Sequence, residues 1–92
     1  MIKSFKHKGL EKFFTEGTTA GILAAHATKI CDRLAFLHAA SGVEDMNRPG
    51  YRLHQLGGKS KGVYAVDVSG NWRITFKFED GNAYIVNYED YH

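Results

Sequence analysis

The sequence predicts an α+β domain in which two N-terminal helices pack on one face of a small antiparallel β-sheet. Three observations carry this reading. Apolar residues recur at helical spacing through the first forty positions, they alternate at strand spacing from position 51 onward, and turn signals separate the strand-like runs. Helices first and hairpin-linked strands afterwards is the order expected when helices cover one side of a sheet and leave the other open.

Taken in order, the opening MIKSF alternates apolar and polar and reads as a short strand. Residues 8–16 carry Leu10, Phe13 and Phe14 at i, i+3 and i+4, an amphipathic helix stopped by Gly17. Thr18 or Thr19 can cap a second helix over 20–40. Its stripe of Leu23, Ala27, Ile30, Leu34 and Leu37 steps by four and three residues, and Ser41-Gly42 ends it. Residues 46–50 form a loop. Residues 51–56 are a first sheet strand, followed by the Gly57-Gly58 loop, and 62–68 a second, ending at the Ser69-Gly70 hairpin turn. The clearest strand is 71–78, where Trp72, Ile74, Phe76 and Phe78 alternate with Asn71, Arg73, Thr75 and Lys77. Asp80-Gly81 is another turn, and 83–88 the last strand.

With 92 residues the chain forms a single domain, 1–92. Its 43% hydrophobic and 24% charged content with one proline is globular and excludes a disordered polypeptide. The single cysteine, Cys31, has no intramolecular partner, which fits a reducing compartment; it sits beside Ile30 and reads as a small packing residue. Neither a signal-peptide core nor a bilayer-spanning run is present, so the expectation is a soluble cytoplasmic protein with no membrane partner. The net charge of +2 is modest, but its distribution is uneven. Lys3, Lys6 and Lys8 precede the first acid, Arg48, Arg52, Lys59 and Lys61 form an acid-free run, and the tail from Glu79 holds four acids and no lysine or arginine. Convergence of the basic segments would suit a polyanion; otherwise they are an ordinary solvated surface.

Because helices cover the aromatic face of 71–78, Arg73, Thr75 and Lys77 point to the other side. The same alternation in 51–56 puts Arg52 and His54 on one face. If these strands share a sheet, His54 and Arg73 occupy one open cationic surface. Should the tail reach it, the set gains Asp90, Tyr91 and His92. Two imidazoles, a carboxylate, a phenol and a guanidinium suit metal-free RNA cleavage, in which a base takes the 2′-OH proton and an acid protonates the leaving 5′-oxygen. An arginine stabilises charge on the phosphoryl oxygens. The bland alternatives are a surface histidine and a frayed terminus. His7, His26 and His38 read as helix-surface or boundary residues, and no histidine pair has zinc-site spacing, so no metal or other cofactor is expected. Trp72 reads as core, Tyr64 and Tyr84 as sheet packing, and Tyr91 as the aromatic best placed to stack on RNA.

The segments IKSFKHKGLEKFF, YRLHQL and NWRITFKFEDGNAYIVNYEDYH together resemble the HigB branch of the RelE/ParE superfamily of toxins, over nearly the whole chain. The resemblance implies a RelE-like fold and an endoribonuclease that enters the ribosomal A site and cuts mRNA during translation. It implies acid–base roles for His54, His92 and Asp90, phosphate stabilisation by Arg73 and substrate positioning by Tyr91. Where family members can carry a lysine three residues after the histidine, this chain has Gly57, and Lys59 or Lys61 can substitute; Arg52, Lys59, Lys61 and Lys77 are the expected substrate-binding set. The implied partners are the ribosome, mRNA and a HigA-like helix-turn-helix antitoxin, with operon DNA bound only through the antitoxin complex. Two rival readings are a ParE-like gyrase poison, which would not need His54, Asp90 or His92, and a non-catalytic RNA- or protein-binding module.

Overall fold

The computed structural model describes residues 1–91. Helices α1 (Lys8–Glu16) and α2 (Ala27–Ala39) precede a four-stranded antiparallel meander, β1 (His54–Gln55), β2 (Val63–Ser69), β3 (Trp72–Glu79) and β4 (Asn82–Asp90), with strand order β1-β2-β3-β4. The architecture is the expected α+β sheet with helices on one side. Among the described residues, no helix is long and apolar enough to cross a membrane.

The core lies between α2 and the sheet. Ile30, Leu34 and Leu37 of the helical stripe meet Val66, Ile74, Phe76 and Val86, all essentially fully buried, with Leu10 of α1 and Met46 closing the ends. The alternation of β3 is therefore read by the structure as expected: its even-numbered apolar residues face the helices. Trp72 stacks on Tyr88 with ring centroids 4.6 Å apart, and Tyr64 stacks on Phe76, so both belong to packing.

Three elements depart from expectation. The second helix starts at Ala27 and not near position 20, after a single tight turn at Ala24–His26, and Leu23 is exposed. Local chemistry explains the delay. Thr18 accepts a hydrogen bond from the Ala20 amide, closing a turn where a helix would otherwise begin. Gly21 then passes so close to Gly9 of α1 that a β-carbon on either would clash with the other's backbone. The opening residues make isolated parallel bridges, Ile2 to Ala83 and Phe5 to Val86, and not a continuous strand. The ladder is broken by Ile85, whose φ of 47° is unusual for a β-branched residue and whose amide is taken by the Ser4 hydroxyl. Finally, the strand expected over 51–56 shrinks to two residues, because Arg52 has a φ of 52° and cannot continue extended backbone.

Ile85 also sets the register of the last strand. Lys77 pairs with Tyr84, but two residues further back Thr75 pairs with Asn87, so β4 contains one extra residue. A one-residue shift exchanges the faces of everything beyond it. Past this bulge, Asn87 and Glu89 share a face with Thr75 and Arg73, while Tyr88 turns to the helices.

Candidate active site

On the side of the sheet away from the helices, the register aligns His54 with Ala65 and Thr75, and Asp67 with Arg73 and Glu89. These are neighbouring rows on one face, so the expected juxtaposition of His54 and Arg73 is met through the intervening β2. A shallow cavity of about 370 Å³ is lined by Arg52, Leu53, His54, Asp67 and Tyr91. Beside it, a smaller cleft of about 120 Å³ holds Arg73, Thr75, Asn87 and Glu89, with Lys6 at its edge.

His54 is exposed, and its Nδ1 lies 2.8 Å from the Arg52 carbonyl oxygen. A carbonyl only accepts, so Nδ1 must carry the proton. The neutral ring therefore has its lone pair on Nε2, the atom that the Nδ1 bond leaves for substrate. The left-handed conformation of Arg52 is what turns its carbonyl back to His54. Arg52 reaches the cavity through this turn and not, as expected, through strand alternation; its Nε sits 3.4 Å from Asp67 Oδ2.

The turn is braced from beneath. The Asp67 amide donates to the Tyr51 carbonyl at 2.7 Å, and the Asp67 carbonyl accepts from Nε of Arg33 at 3.0 Å. Arg33 is buried on α2, its guanidinium 4.3 Å from the Tyr51 ring centroid. The Tyr51 hydroxyl donates to Asp32 at 2.5 Å. Burial, followed by that bond to a carboxylate, pushes the Tyr51 pKa up to about 12. The segment before the histidine and the neighbouring strand β2 are thus tied to α2.

Arg73 is largely buried and fully engaged on one side. Its Nε and Nη2 both donate to Oε2 of Glu89, at 2.9 and 2.7 Å, and the ring of Tyr91 lies 4.0 Å from its guanidinium carbon. Tyr91 itself is exposed, with its amide bonded to the Asn71 carbonyl at 3.0 Å, so the chain is anchored up to this point. Asp90 is exposed at the end of β4 and pairs with Trp72, which by alternation assigns it to the helix-side parity and not to that of Arg73. His92 lies outside the described residues. Lys77 is exposed on β3, paired with Val63 and Tyr84, and shares the parity of Arg73. Lys59 and Lys61 are exposed on the loop after β1, around the short turn Gly58–Ser60. Gly57 has an ordinary backbone conformation, and a β-carbon there would meet nothing within 4 Å.

The structure adds three residues to the expected set. Lys6 joins the N-terminal basic run to the cleft of Arg73, Asp67 pairs with Arg52, and Glu89 pairs with Arg73. Glu89 is the least foreseeable, since the sequence presents it as part of an acidic tail and only the bulge at Ile85 turns it inward.

The other three histidines among the described residues are spent on the fold. Nδ1 of His7 caps α1 by accepting from the Leu10 amide, and Nδ1 of His38 accepts from the Ile2 amide. His26 is buried deeper than a surface or boundary residue, with Nδ1 2.7 Å from the Tyr88 hydroxyl. Cys31 is exposed and not a packing residue of the core, lining an apolar groove between α1 and α2 with Phe13, Phe14 and Leu34.

A helix-covered antiparallel meander is the fold that the RelE-type resemblance implies, and its open face carries an imidazole, two arginines and a tyrosine. The chain belongs to the HigB-like toxin family, the RelE-like toxins of type II toxin–antitoxin systems, whose family model matches residues 3–92. Over 92 residues, the whole of both chains, it is 50% identical to the Endoribonuclease HigB of Proteus vulgaris.

Proposed function

We propose that this toxin is a ribosome-dependent mRNA endonuclease in which His54 is the general base and Arg73 stabilises the phosphoryl group. The observation that carries the reading is the Nδ1 bond of His54 to the Arg52 carbonyl, which leaves Nε2 as the basic atom on a cationic face. Full-length similarity to a protein named an endoribonuclease supports the reaction class.

In the reaction, Nε2 removes the 2′-OH proton and the 2′-oxygen forms a bond to phosphorus. The bond from phosphorus to the 5′-oxygen breaks as that oxygen receives a proton. The products are a 2′,3′-cyclic phosphate and a 5′-OH. With His54 as base, the acid falls to His92 or Asp90. Arg73 donates to the phosphoryl oxygens, where charge accumulates in the transition state. Tyr91 covers Arg73 and offers its exposed ring to a base. Arg52, Lys59, Lys61 and Lys77 hold the RNA backbone by charge. Family membership implies an antitoxin partner; we take it to be a HigA-like helix-turn-helix protein, through which alone the toxin contacts its operon DNA.

Primer extension on an mRNA incubated with the purified toxin, with and without translating ribosomes, tests this. New 5′ ends inside codons only when ribosomes are present are the expected result. Their absence under both conditions would reject nuclease function and leave the gyrase-poison and binding-module readings.

A further inference from the structure

Arg73 does not stand alone on the open face: every strong contact it makes serves to fix the plane of its guanidinium. Two of its five N–H groups, on Nε and Nη2, converge on a single oxygen of Glu89. The other Glu89 oxygen accepts from Nδ2 of Asn87 at 3.3 Å, which holds the carboxylate in turn. The Tyr91 ring lies against the guanidinium, 4.0 Å from ring centroid to Cζ. This leaves three N–H groups for a ligand, both on Nη1 and the second on Nη2, on a side chain only 14% exposed.

We propose that Glu89 is the positioning residue for Arg73, presenting its Nη1 edge to the scissile phosphate. The inference rests on the role given to Arg73 above. An arginine alone could adopt many rotamers and would lose them on meeting the phosphate; one already bonded through Nε has lost them during folding. Glu89 partly neutralises Arg73, which weakens capture of RNA from solution. Its benefit therefore falls on the transition state, in kcat, and not on the binding of substrate. The bulge at Ile85 is part of the same device, since it alone puts Glu89 in register with Arg73.

Steady-state cleavage of mRNA on programmed ribosomes should be measured for Glu89→Ala, Glu89→Gln and Arg73→Ala, with rates expressed per folded molecule from thermal melts. Glu89→Ala should lower kcat by roughly tenfold to a hundredfold, the scale of a misplaced catalytic group, with KM unchanged or lower. Glu89→Gln keeps an acceptor oxygen for Nε and should recover a large part of the loss. A merely structural role would lower the melting temperature and not split kcat from KM. If Glu89→Ala cleaves as well as the wild type or better while Arg73→Ala is inactive, the positioning role is wrong. If Arg73→Ala cleaves normally, the role of Arg73 fails first and this proposal with it.

Discussion

The two sides of the sheet use histidine in opposite ways. On the helix side, His7 and His38 spend the Nδ1 lone pair on backbone amides, and His26 is buried against Tyr88 and Trp72. On the open side, His54 spends the Nδ1 proton on a backbone carbonyl. The residue type is the same, but only the second arrangement leaves a basic Nε2 at the surface. What separates a structural histidine from a chemical one here is which ring nitrogen the backbone occupies, and whether the backbone offers it an N–H or a C=O. A comparable contrast holds for the arginines. Arg33 lies on the helix side, bonded to the Asp67 carbonyl and the neighbouring Asp32 carboxylate, whereas Arg73 is held by Glu89 on the face where RNA is proposed to bind.

This contrast can be broken at several points. Replacing the scissile 2′-OH by hydrogen removes the nucleophile, so an mRNA with a single 2′-deoxy nucleotide at the mapped site should not be cut there; continued cutting, seen by primer extension, would mean that water or another group attacks. Arg73→Ala should reduce the cleavage rate per folded molecule by about 10²- to 10³-fold, the usual scale for losing one stabilising donor. On the covered side the pattern should invert. His26→Ala removes the Nδ1 partner of the Tyr88 hydroxyl and should cost about 1–3 kcal/mol of folding stability, read by urea denaturation, while cleavage per folded molecule stays unchanged. The smallest effect is expected at Gly57. A side chain there meets no obstacle, so Gly57→Lys adds a cation after His54 and should raise RNA affinity at low salt, an advantage that fades as salt is added.

Much of this division was legible before any coordinates. The alternation through 71–78 separates Trp72, Ile74, Phe76 and Phe78 from Arg73 and Lys77, and the structure sorts them as written. The helical spacing of Ile30, Leu34 and Leu37 likewise marks a helix face that is buried. What could not be read were the places where backbone geometry overrides pattern. Arg52 and Ile85 take left-handed conformations that no glycine or asparagine announces. The first shortens β1 and fixes the tautomer of His54. The second slips the register of β4, bringing Glu89 to Arg73 and assigning Asp90 to the helix-side parity. The start of α2 is hidden for a related reason: the Gly9–Gly21 contact is a tertiary approach, invisible to local propensity.

The most direct test of the central claim is the single-turnover cleavage rate of His54→Ala on ribosome-bound mRNA, beside His38→Ala as a histidine used only for folding. Loss of the general base should slow the His54 variant by roughly 10²- to 10⁴-fold with an unchanged melting temperature, whereas the His38 variant should melt earlier and cut at the wild-type rate per folded molecule. A His54→Ala protein that is folded and cleaves at the wild-type rate would contradict the assignment of the open face as the catalytic surface.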